Sequence, residues 1–360
     1  MKIGILTFHC ADNYGAVMQC YALQEYLRSL GHDVYVIDYR PKYVVDRYAV
    51  VARRYWIVRS IKRTLVKCLT EPYLMCVRAK RHRALEAFVQ NRFRLCPYSR
   101  EMSGFDVIVM GSDQIWSPKL TGNHFDEVFF GSGFNCKKIA YAASNRSSSL
   151  SEEEVAFYKS HLAQIDFVGV RESTLQGLLQ PLTDKPVHLN IDPTLLSDVR
   201  WTAQLDLKRP MAGDYVMLYE VSRHLENRNR CLEVARANNC SFAELTGSLA
   251  LSFRRTTHLN QTASPEQFLS HIKYAKCVFT TSFHGTSLSI LFQKDFFYCR
   301  QNTSADMRIE SLLTKLGLTD RIIEKDVIPS LTPINYLAVN ERLKAFRAES
   351  VQYLENALSE

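Results

Sequence analysis

Residues 2–39 read KIGILTFHCADNYGAVMQCYALQEYLRSLGHDVYVIDY and contain two apolar, strand-like runs separated by a helical pattern. The runs are residues 2–8 and 33–39, and Gly31 just before the second one suits the C-terminal cap of a helix. The helical pattern spaces its apolar residues by 4, 3, 4 and 3 positions and consists of Ala16, Cys20, Leu23, Leu27 and Leu30. A strand, a loop, a helix and a second strand in this order predict a parallel βαβ unit.

Similar apolar runs recur along the chain. Most of them are continuous rather than alternating, which is typical of strands buried on both faces of a parallel sheet. They are residues 105–111, 138–144, 167–172, 187–192, 215–221, 242–247, 277–283 and 295–299. Because the alternation of strands and helices starts again after Tyr215, we predict an α/β protein made of two Rossmann-like domains.

The polar, proline-containing stretch from Asp192 to Asp214 separates the two halves. We therefore predict an N-terminal domain over 1–200, a C-terminal domain over 201–334 and a closing C-terminal helix over 335–360. Ligands of open parallel sheets bind beyond the carboxyl ends of the strands, so the loops after strands and the cleft between the halves are the places to look for chemistry.

The composition is that of a globular protein. The chain has 360 residues, 46% of them apolar and 23% charged, which excludes disorder as a description of the whole chain and suggests about two domains. Its ten cysteines form no CxxC pair, so we expect no metal site. The start of the chain is typical of a strand rather than a signal peptide, and no uncharged apolar stretch approaches the ~18 residues of a membrane span. We expect a cytoplasmic protein, soluble or peripheral at the inner face of the cell membrane.

Positive charge is concentrated in residues 40–94. This segment has 15 Lys or Arg against 3 Asp or Glu, whereas the whole chain has a net charge of +8. Within it, residues 47–69 read RYAVVARRYWIVRSIKRTLVKCL, which interleaves aromatic and aliphatic residues with basic ones as interfacial amphipathic helices do. We predict a basic helical insertion over about 40–94 that favours an anionic membrane surface. Nucleic acid is not expected, because no zinc finger, RNP-like strand or basic leucine zipper accompanies the charge; an ordinary solvated helix face is the alternative.

Polar residues follow the first strand. The loop contains Asn13, Tyr14 and Gly15 immediately before the predicted helix, where free backbone N–H groups and the helix dipole attract phosphate or carboxylate. It contains no GxGxxG, so dinucleotide binding is not indicated. The alternative is a turn in which Asn13 only caps the helix.

Three further loops in the first half carry candidate residues. The segment DVIVMGSDQIWSP places Ser112 and Asp113 after a strand, and Asp113 suits either a general base or a helix cap. Arg146 follows the strand at 138–144, and Arg171 follows the strand that starts at Phe167. Arginine binds carboxylate and phosphate through its forked N–H groups, although a surface ion pair is the commoner use of a single arginine.

In the second half, KCVFTTSFHGTSLSILFQ places Ser282, His284, Gly285 and Thr286 between a buried strand and a helix. Histidine is the side chain best suited to proton transfer near neutral pH, and helix N-terminal donors lie beside it in this pattern. A purely structural histidine is the alternative. No GxSxG, HExxH, P-loop or EF-hand is present, which removes the commonest hydrolase, zincin and NTPase interpretations.

Taken together, these segments resemble the polysaccharide pyruvyl transferase family over nearly the whole chain. The segments that carry the resemblance are GILTFHCADNYGAVMQCYALQEYLRSLGHDVYVIDYRP (4–41), FDVIVMGSDQIW (105–116), IAYAAS (139–144), VGVRES (168–173), IDPTLL (191–196), TTSFHGTSLSILF (280–292) and RIESLLTKLGL (308–318). The resemblance implies a GT-B-like architecture and transfer of the enolpyruvyl group of phosphoenolpyruvate to sugar hydroxyls, which forms a pyruvate ketal. The implied acceptor is a hexose of a bacterial surface polysaccharide, often lipid-diphosphate-linked, and no cofactor beyond the donor phosphoenolpyruvate is implied.

The resemblance also implies roles for individual residues. His284 matches the histidine of the family's His-Gly motif, expected in acid/base chemistry or phosphate stabilisation, and Arg171 matches an arginine expected to bind the donor anion. Some members read Arg-Leu before His-Gly, whereas this chain has Ser282 and Phe283 there. Arg146 and Arg308 are our candidates for the replacement of that missing cation.

These residues suggest a mechanism and two competing functions. We expect His284 to shuttle a proton and Asp113 to act as the base for the attacking sugar hydroxyl. A nucleotide-sugar glycosyltransferase on the same scaffold is one alternative, with Glu244 or Glu266 available to hold a ribose. The other is a non-catalytic protein that binds membranes or nucleic acid through its basic segment.

Overall fold

The computed structural model describes residues 1–51, 61–249 and 258–359, with the backbone alone over 61–67. The first sheet is entirely parallel and has the strand order β3-β2-β1-β4-β5-β6-β7. Its strands are β1 (Lys2–Leu6), β2 (Asp33–Asp38), β3 (Leu95–Pro97), β4 (Val107–Met110), β5 (Lys137–Ala143), β6 (Phe167–Val170) and β7 (Val187–Leu189).

The second sheet repeats this topology. Its order is β10-β9-β8-β11-β12-β13, again with every strand pair parallel. The strands are β8 (Tyr215–Glu220), β9 (Ser241–Thr246), β10 (His258–Asn260), β11 (Cys277–Thr280), β12 (Asp295–Cys299) and β13 (Ile322–Ile323). In each sheet the chain order reverses once, between β1 and β4 and between β8 and β11, which is the doubly wound Rossmann arrangement. The predicted α/β class and the two Rossmann-like halves are confirmed.

Helices cover both sheets and connect their strands. They are α1 (Tyr14–Ser29), α2 (Lys42–Tyr48), α3 (Ile61–Arg92), α4 (Glu152–Leu162), α5 (Ser173–Leu179), α6 (Pro193–Leu196), α7 (Leu225–Ala237), α8 (Pro265–Tyr274), α9 (Phe283–Leu291), α10 (Asp306–Leu316) and α11 (Tyr336–Ser359). Helix α1 begins two residues before Ala16, the first residue of the predicted helical pattern. The reason is that the Asn13 side chain accepts hydrogen bonds from the N–H groups of Gly15 and Ala16.

Helix α1 lies between the two halves and is buried on most of its surface. Its Tyr14 ring stacks on Phe268 of α8 with centroids 4.7 Å apart, and the Tyr14 hydroxyl donates to the carbonyl oxygen of Ala263 over 2.9 Å. One hydrophobic core therefore runs from the first sheet through α1 into the second half.

The predicted C-terminal helix is α11, and it returns to the first sheet. The Tyr353 hydroxyl donates to the carbonyl oxygen of Ala140 over 2.7 Å, and the Ile191 N–H donates to Ser350 Oγ over 2.9 Å. Two Rossmann-like halves closed by such a helix form the expected GT-B-like architecture. The first sheet ends at Leu189 and the second begins at Tyr215, while the domain bounds at 200 and 334 stay a prediction.

The basic insertion contains α2 and α3. Residues 52–60 and the side chains of 61–67, which hold most of the predicted amphipathic stretch, lie outside the described residues. In the described part of α3, Arg81 and Arg92 bond to the second half rather than face solvent. Within the described residues, no helix is long and apolar enough to cross a membrane.

Candidate functional site

A cleft of about 350 Å³ lies between the two sheets, where the carboxyl ends of their strands face each other. Loops after β1, β4 and β5 of the first half meet loops after β8, β11 and β12 of the second half, which places the cleft at both topological switch points. Its polar lining consists of Asn13, Arg47, Asp113, Gln114, Arg146, Ser222, Thr281, Ser282, His284, Gln301, Thr303 and Arg308.

His284 lies in the first turn of α9, at the edge of the cleft. Ser282 caps this helix, because its Oγ accepts a hydrogen bond from the Gly285 N–H over 3.4 Å. The imidazole packs against Gly15 at the start of α1, and its Nε2 lies 3.4 Å from Oδ2 of Asp192. The two loops that the sequence singled out in different halves are therefore in direct contact.

Two arginines present positive charge to the cleft. Arg308, in the first turn of α10, and Arg146, after β5, form no hydrogen bond and no ion pair with any described residue, and the Nε atom of each is buried. Burial, with the nearby charge of Arg171, lowers the pKa of Arg308 to about 10, so this guanidinium stays charged at neutral pH. The carboxylates of Glu172 and Asp113 near Arg308 only partly offset its burial, and neither arginine has a hydrogen-bonded partner among the described residues, an arrangement that suits an anionic ligand.

Arg171 lies behind the cleft, not in its wall. It is 5% exposed, and its guanidinium is surrounded by the carboxylates of Asp192 (2.7 Å), Glu172 (3.6 Å) and Asp113 (3.7 Å). Of these carboxylates, only that of Asp192 accepts a hydrogen bond from it, and the Nε and Nη2 atoms of Arg171 form none with any described residue. Arg171 thus holds acidic side chains in place, and its direct contact with the donor anion stays a prediction.

Asp113 lines the cleft and is 7% exposed. Its backbone has a left-handed φ of 72°, an uncommon conformation that aspartate tolerates better than most residues. The neighbouring Ser112 is fully buried: its Oγ donates to Asp192 Oδ2 over 3.2 Å, and its carbonyl oxygen accepts from the Thr7 hydroxyl over 2.8 Å. Ser112 thus stabilises the site through these two hydrogen bonds and does not line the cleft.

The other predicted site residues also divide into those that line the cleft and those that lie behind it. Asn13 lines the cleft, whereas the Tyr14 hydroxyl is occupied by the contact with α8. Gly285 packs against the side chain of Thr280, and the buried Thr286 hydroxyl donates to the carbonyl oxygen of Ser282 over 3.2 Å. Five predicted residues form the wall of the cleft, namely Asn13, Asp113, Arg146, His284 and Arg308. Six lie behind it, namely Tyr14, Gly15, Ser112, Arg171, Gly285 and Thr286.

Sequence reasoning missed several residues of the site. Gln301 and Thr303 follow β12, so the rule that ligands bind after strands would have found them. Asp192 lies in the quoted IDPTLL segment, but an aspartate before a proline is also what a helix N-cap needs, and it does cap α6. Arg47 reaches the cleft from α2, which no local pattern indicates.

Comparison with curated proteins finds no match to the sequence. Solved structures similar to the chain include a UDP-GlcNAc 2-epimerase from Methanocaldococcus jannaschii (11% identity, 96% of this chain and 92% of that chain, TM-score 0.47). A second is the glycosyltransferase SnogD from Streptomyces nogalater (12% identity, 99% and 98%, TM-score 0.45). The chain spans 64% of the length of a third, an O-GlcNAc transferase variant from Thermobaculum terrenum, at 12% identity over 99% of this chain and a TM-score of 0.43.

A family model gives the assignment. The model described as polysaccharide pyruvyl transferase matches residues 13–302, which include the first-half loops after β1, β4 and β5 and the histidine of the second half. The match covers most of the chain and most of the cleft lining, although it ends before Thr303 and Arg308. The chain belongs to the polysaccharide pyruvyl transferase family and is a transferase.

Proposed function

We propose that the protein transfers the enolpyruvyl group of phosphoenolpyruvate to two hydroxyls of one sugar, which forms a pyruvate ketal. The observation that carries the proposal is a pair of arginines that form no hydrogen bond or ion pair with any described residue, Arg146 and Arg308, in the same cleft as His284 and Asp113. Phosphoenolpyruvate has a carboxylate and a phosphate close together, and it suits a small cleft with two cations beside the N-terminus of α9.

The reaction balances with two acid/base groups. In the first step, a proton adds to the methylene carbon of the donor, and a sugar oxygen bonds to the central carbon while its proton passes to Asp113. In the second, the bond between the central carbon and the phosphate oxygen breaks, and a second sugar hydroxyl bonds to the same carbon. One hydroxyl proton thus ends on the new methyl group and the other leaves with phosphate. His284 is the group that delivers the proton to carbon, assistance that contributes about 10² to 10⁴ in rate.

The two acidic residues considered for the nucleotide-sugar alternative, Glu244 and Glu266, both have arginine partners. Glu244 is buried at the end of β9, and its oxygens lie 2.7 Å from Arg223 and 3.1 Å from Arg228. Glu266 bonds to Arg92 over 2.9 Å. Because both carboxylates are held by arginines and neither lines the cleft, neither is free to hold a ribose.

Thermal unfolding with and without phosphoenolpyruvate tests the donor. At about 100 times its dissociation constant a ligand adds about 2.7 kcal/mol, a rise of several degrees in Tm. We expect this rise with phosphoenolpyruvate and not with nucleotide sugars, and we expect Arg308→Met and Arg146→Met to lose it.

Arg200→Met is the matched control, because the Arg200 side chain is 87% exposed and pairs with Asp198 alone among the described residues. It should keep the full rise with phosphoenolpyruvate. A rise with nucleotide sugars alone, or an undiminished rise in both cleft variants, would overturn the proposed donor site.

We further propose that the acceptor is a lipid-diphosphate-linked sugar, reached through peripheral binding of residues 40–94 to an anionic inner leaflet. The support is the charge of this segment, 15 basic against 3 acidic residues, since each basic residue near such a surface contributes about 1 kcal/mol.

Sedimentation with vesicles tests the membrane proposal. We expect more protein to pellet with anionic than with neutral vesicles, and we expect neutralisation of the basic residues in 53–67 to abolish the difference. Lys208→Gln, which removes a charge that is 81% exposed in the second half, is the control. Equal sedimentation with both kinds of vesicle contradicts membrane binding and leaves the donor site to be judged by the thermal experiment.

A further inference from the structure

We propose that Asp192 is a positioning residue that fixes the catalytic imidazole, with Nε2 of His284 held by the carboxylate and Nδ1 presented to the donor. The catalytic part of this inference rests on the proposed function, whereas the orientation of the ring is a property of the folded protein. Asp192 comes from the segment after β7 of the first half, and His284 belongs to the second half.

The carboxylate of Asp192 is fully engaged. Its Oδ1 accepts from the Thr194 N–H (3.0 Å) and the Thr194 hydroxyl (2.7 Å), and its Oδ2 accepts from Arg171 Nη1 (2.7 Å) and Ser112 Oγ (3.2 Å). Burial alone would raise the pKa of Asp192, but the charges of His284 and Arg171 with these hydrogen bonds hold it well below its usual range. The side chain is therefore an anion locked in one orientation.

The two ring nitrogens of His284 are in different surroundings. Nε2 is buried and lies 3.4 Å from Asp192 Oδ2, within the distance of an ion pair when the ring is protonated, and it forms no hydrogen bond with any described residue. Nδ1 packs against Gly15 at the start of α1 but is not fully buried, it forms no hydrogen bond in the described part of the chain, and the ring lines the cleft. The anion beside Nε2, together with the lack of a hydrogen-bond acceptor for Nδ1 among the described residues, favours the tautomer with the proton on Nε2.

This orientation decides which atom transfers the proton. A neutral ring with its hydrogen on Nε2 has its lone pair at Nδ1, and a protonated ring presents Nδ1–H to the cleft. In both states the atom that exchanges a proton with the donor is Nδ1. Asp192 does not touch the substrate, and it acts by holding the ring and stabilising its positive charge.

The variant Asp192→Asn removes the charge while it keeps the size of the side chain. Arg171 still has the carboxylates of Asp113 and Glu172 around it, so no arginine is left without a counter-charge. We expect kcat for pyruvyl transfer to fall about 10²-fold or more with KM for phosphoenolpyruvate changed less than about threefold. ¹⁵N NMR should show a loss of the Nε2–H preference at His284.

Asp198→Asn is the matched control. Asp198 Oδ1 accepts from the N–H two residues later over 3.0 Å, the same capping bond that Asp192 makes to Thr194, but Asp198 is half-exposed and does not line the cleft. We expect this control to keep both the turnover and the tautomer.

The wild-type spectrum is a test that needs no stable variant. The His284 signal, assigned among ten histidines by its loss in His284→Gln, should show the hydrogen on Nε2. A hydrogen on Nδ1, or an unchanged tautomer and turnover in folded Asp192→Asn, overturns the inference. If the wild-type protein shows the Nε2–H tautomer but does not use phosphoenolpyruvate, the proposed function fails while the positioning by Asp192 stands.

Discussion

Gly15 has no side chain, and the His284 ring occupies the space that a Cβ atom at this position would need. An ideal Cβ placed there comes closer than van der Waals contact to Nδ1, Cγ and Cβ of His284. The contact explains why the first turn of α1 contains a glycine although alanine is the better helix former. A residue of the first half therefore determines how closely the imidazole of the second half can approach.

The substitution Gly15→Ala tests this contact. We expect it to lower the free energy of unfolding by about 1–3 kcal/mol and to reduce turnover, because the ring must move to admit the methyl group. Gly177→Ala is the control, since Gly177 lies in α5 with no atom near its Cβ position, and it should stabilise the protein by up to about 1 kcal/mol. Urea denaturation measures both. Equal stabilisation by the two substitutions would contradict the close packing.

The individual site residues show what a sequence can predict at this scale. His284 and Asp113 could be singled out because polar side chains after buried strands stand out locally, whereas Arg308 could be named only through the resemblance to the family. The position of Arg171 could not, because the three carboxylates around it come from the loops after β4, β6 and β7. The strand order of the sheet brings these three loops together, and the sequence pattern alone does not reveal that order.

Among the elements, α3 connects the two halves. Its Arg81 is buried and donates to the carbonyl oxygens of Gln261 (2.8 Å), Thr246 (2.6 Å) and Gly247 (2.5 Å) in the second half. The sequence predicted a basic helix facing an anionic surface, but at this position the positive charge satisfies backbone acceptors at the end of β9. Charge counts do not distinguish a solvated arginine from one bonded across an interface.

Arg81→Met should destabilise the protein by about 3 kcal/mol or more, since hydrogen bonds from a charged donor are lost and buried carbonyl oxygens are left without partners. The control is Arg83→Met on the same helix, where the side chain is exposed and the expected change is below about 0.5 kcal/mol. Chemical denaturation gives both values. Similar effects of the two substitutions would show that α3 does not brace the halves.

The strands also show which elements a sequence pattern can predict and which it cannot. Continuous apolar runs such as β8 could be predicted because both faces of these strands are buried. The short strands β3, β10 and β13 have two or three residues each and no predicted apolar run corresponds to them, whereas the equally short β7 lies within the predicted run at 187–192. Each lies at the edge of its sheet, where pairing depends on a neighbour already in place.

For the whole molecule, the continuous core through α1 makes the two halves one cooperative unit. Separate domains of this size commonly unfold in separate steps. Here the core cluster contains residues of both sheets, of α1 and of α11, so we expect a single transition in differential scanning calorimetry. We also expect phosphoenolpyruvate to move that transition as a whole. Two resolved transitions, with one of them insensitive to the ligand, would contradict this cooperativity.

The return of α11 to the first sheet means that the chain crosses from the first half to the second and back again. The first crossing is the segment from Asp192 to Asp214, and the second leads from β13 to the contact of Tyr353 with Ala140. Two covalent crossings define a line, and rotation about that line is the motion they permit most easily. We therefore expect any opening of the cleft to be a rotation of this kind, in which Asp192, at the start of the first crossing, moves less than the far rim of the cleft.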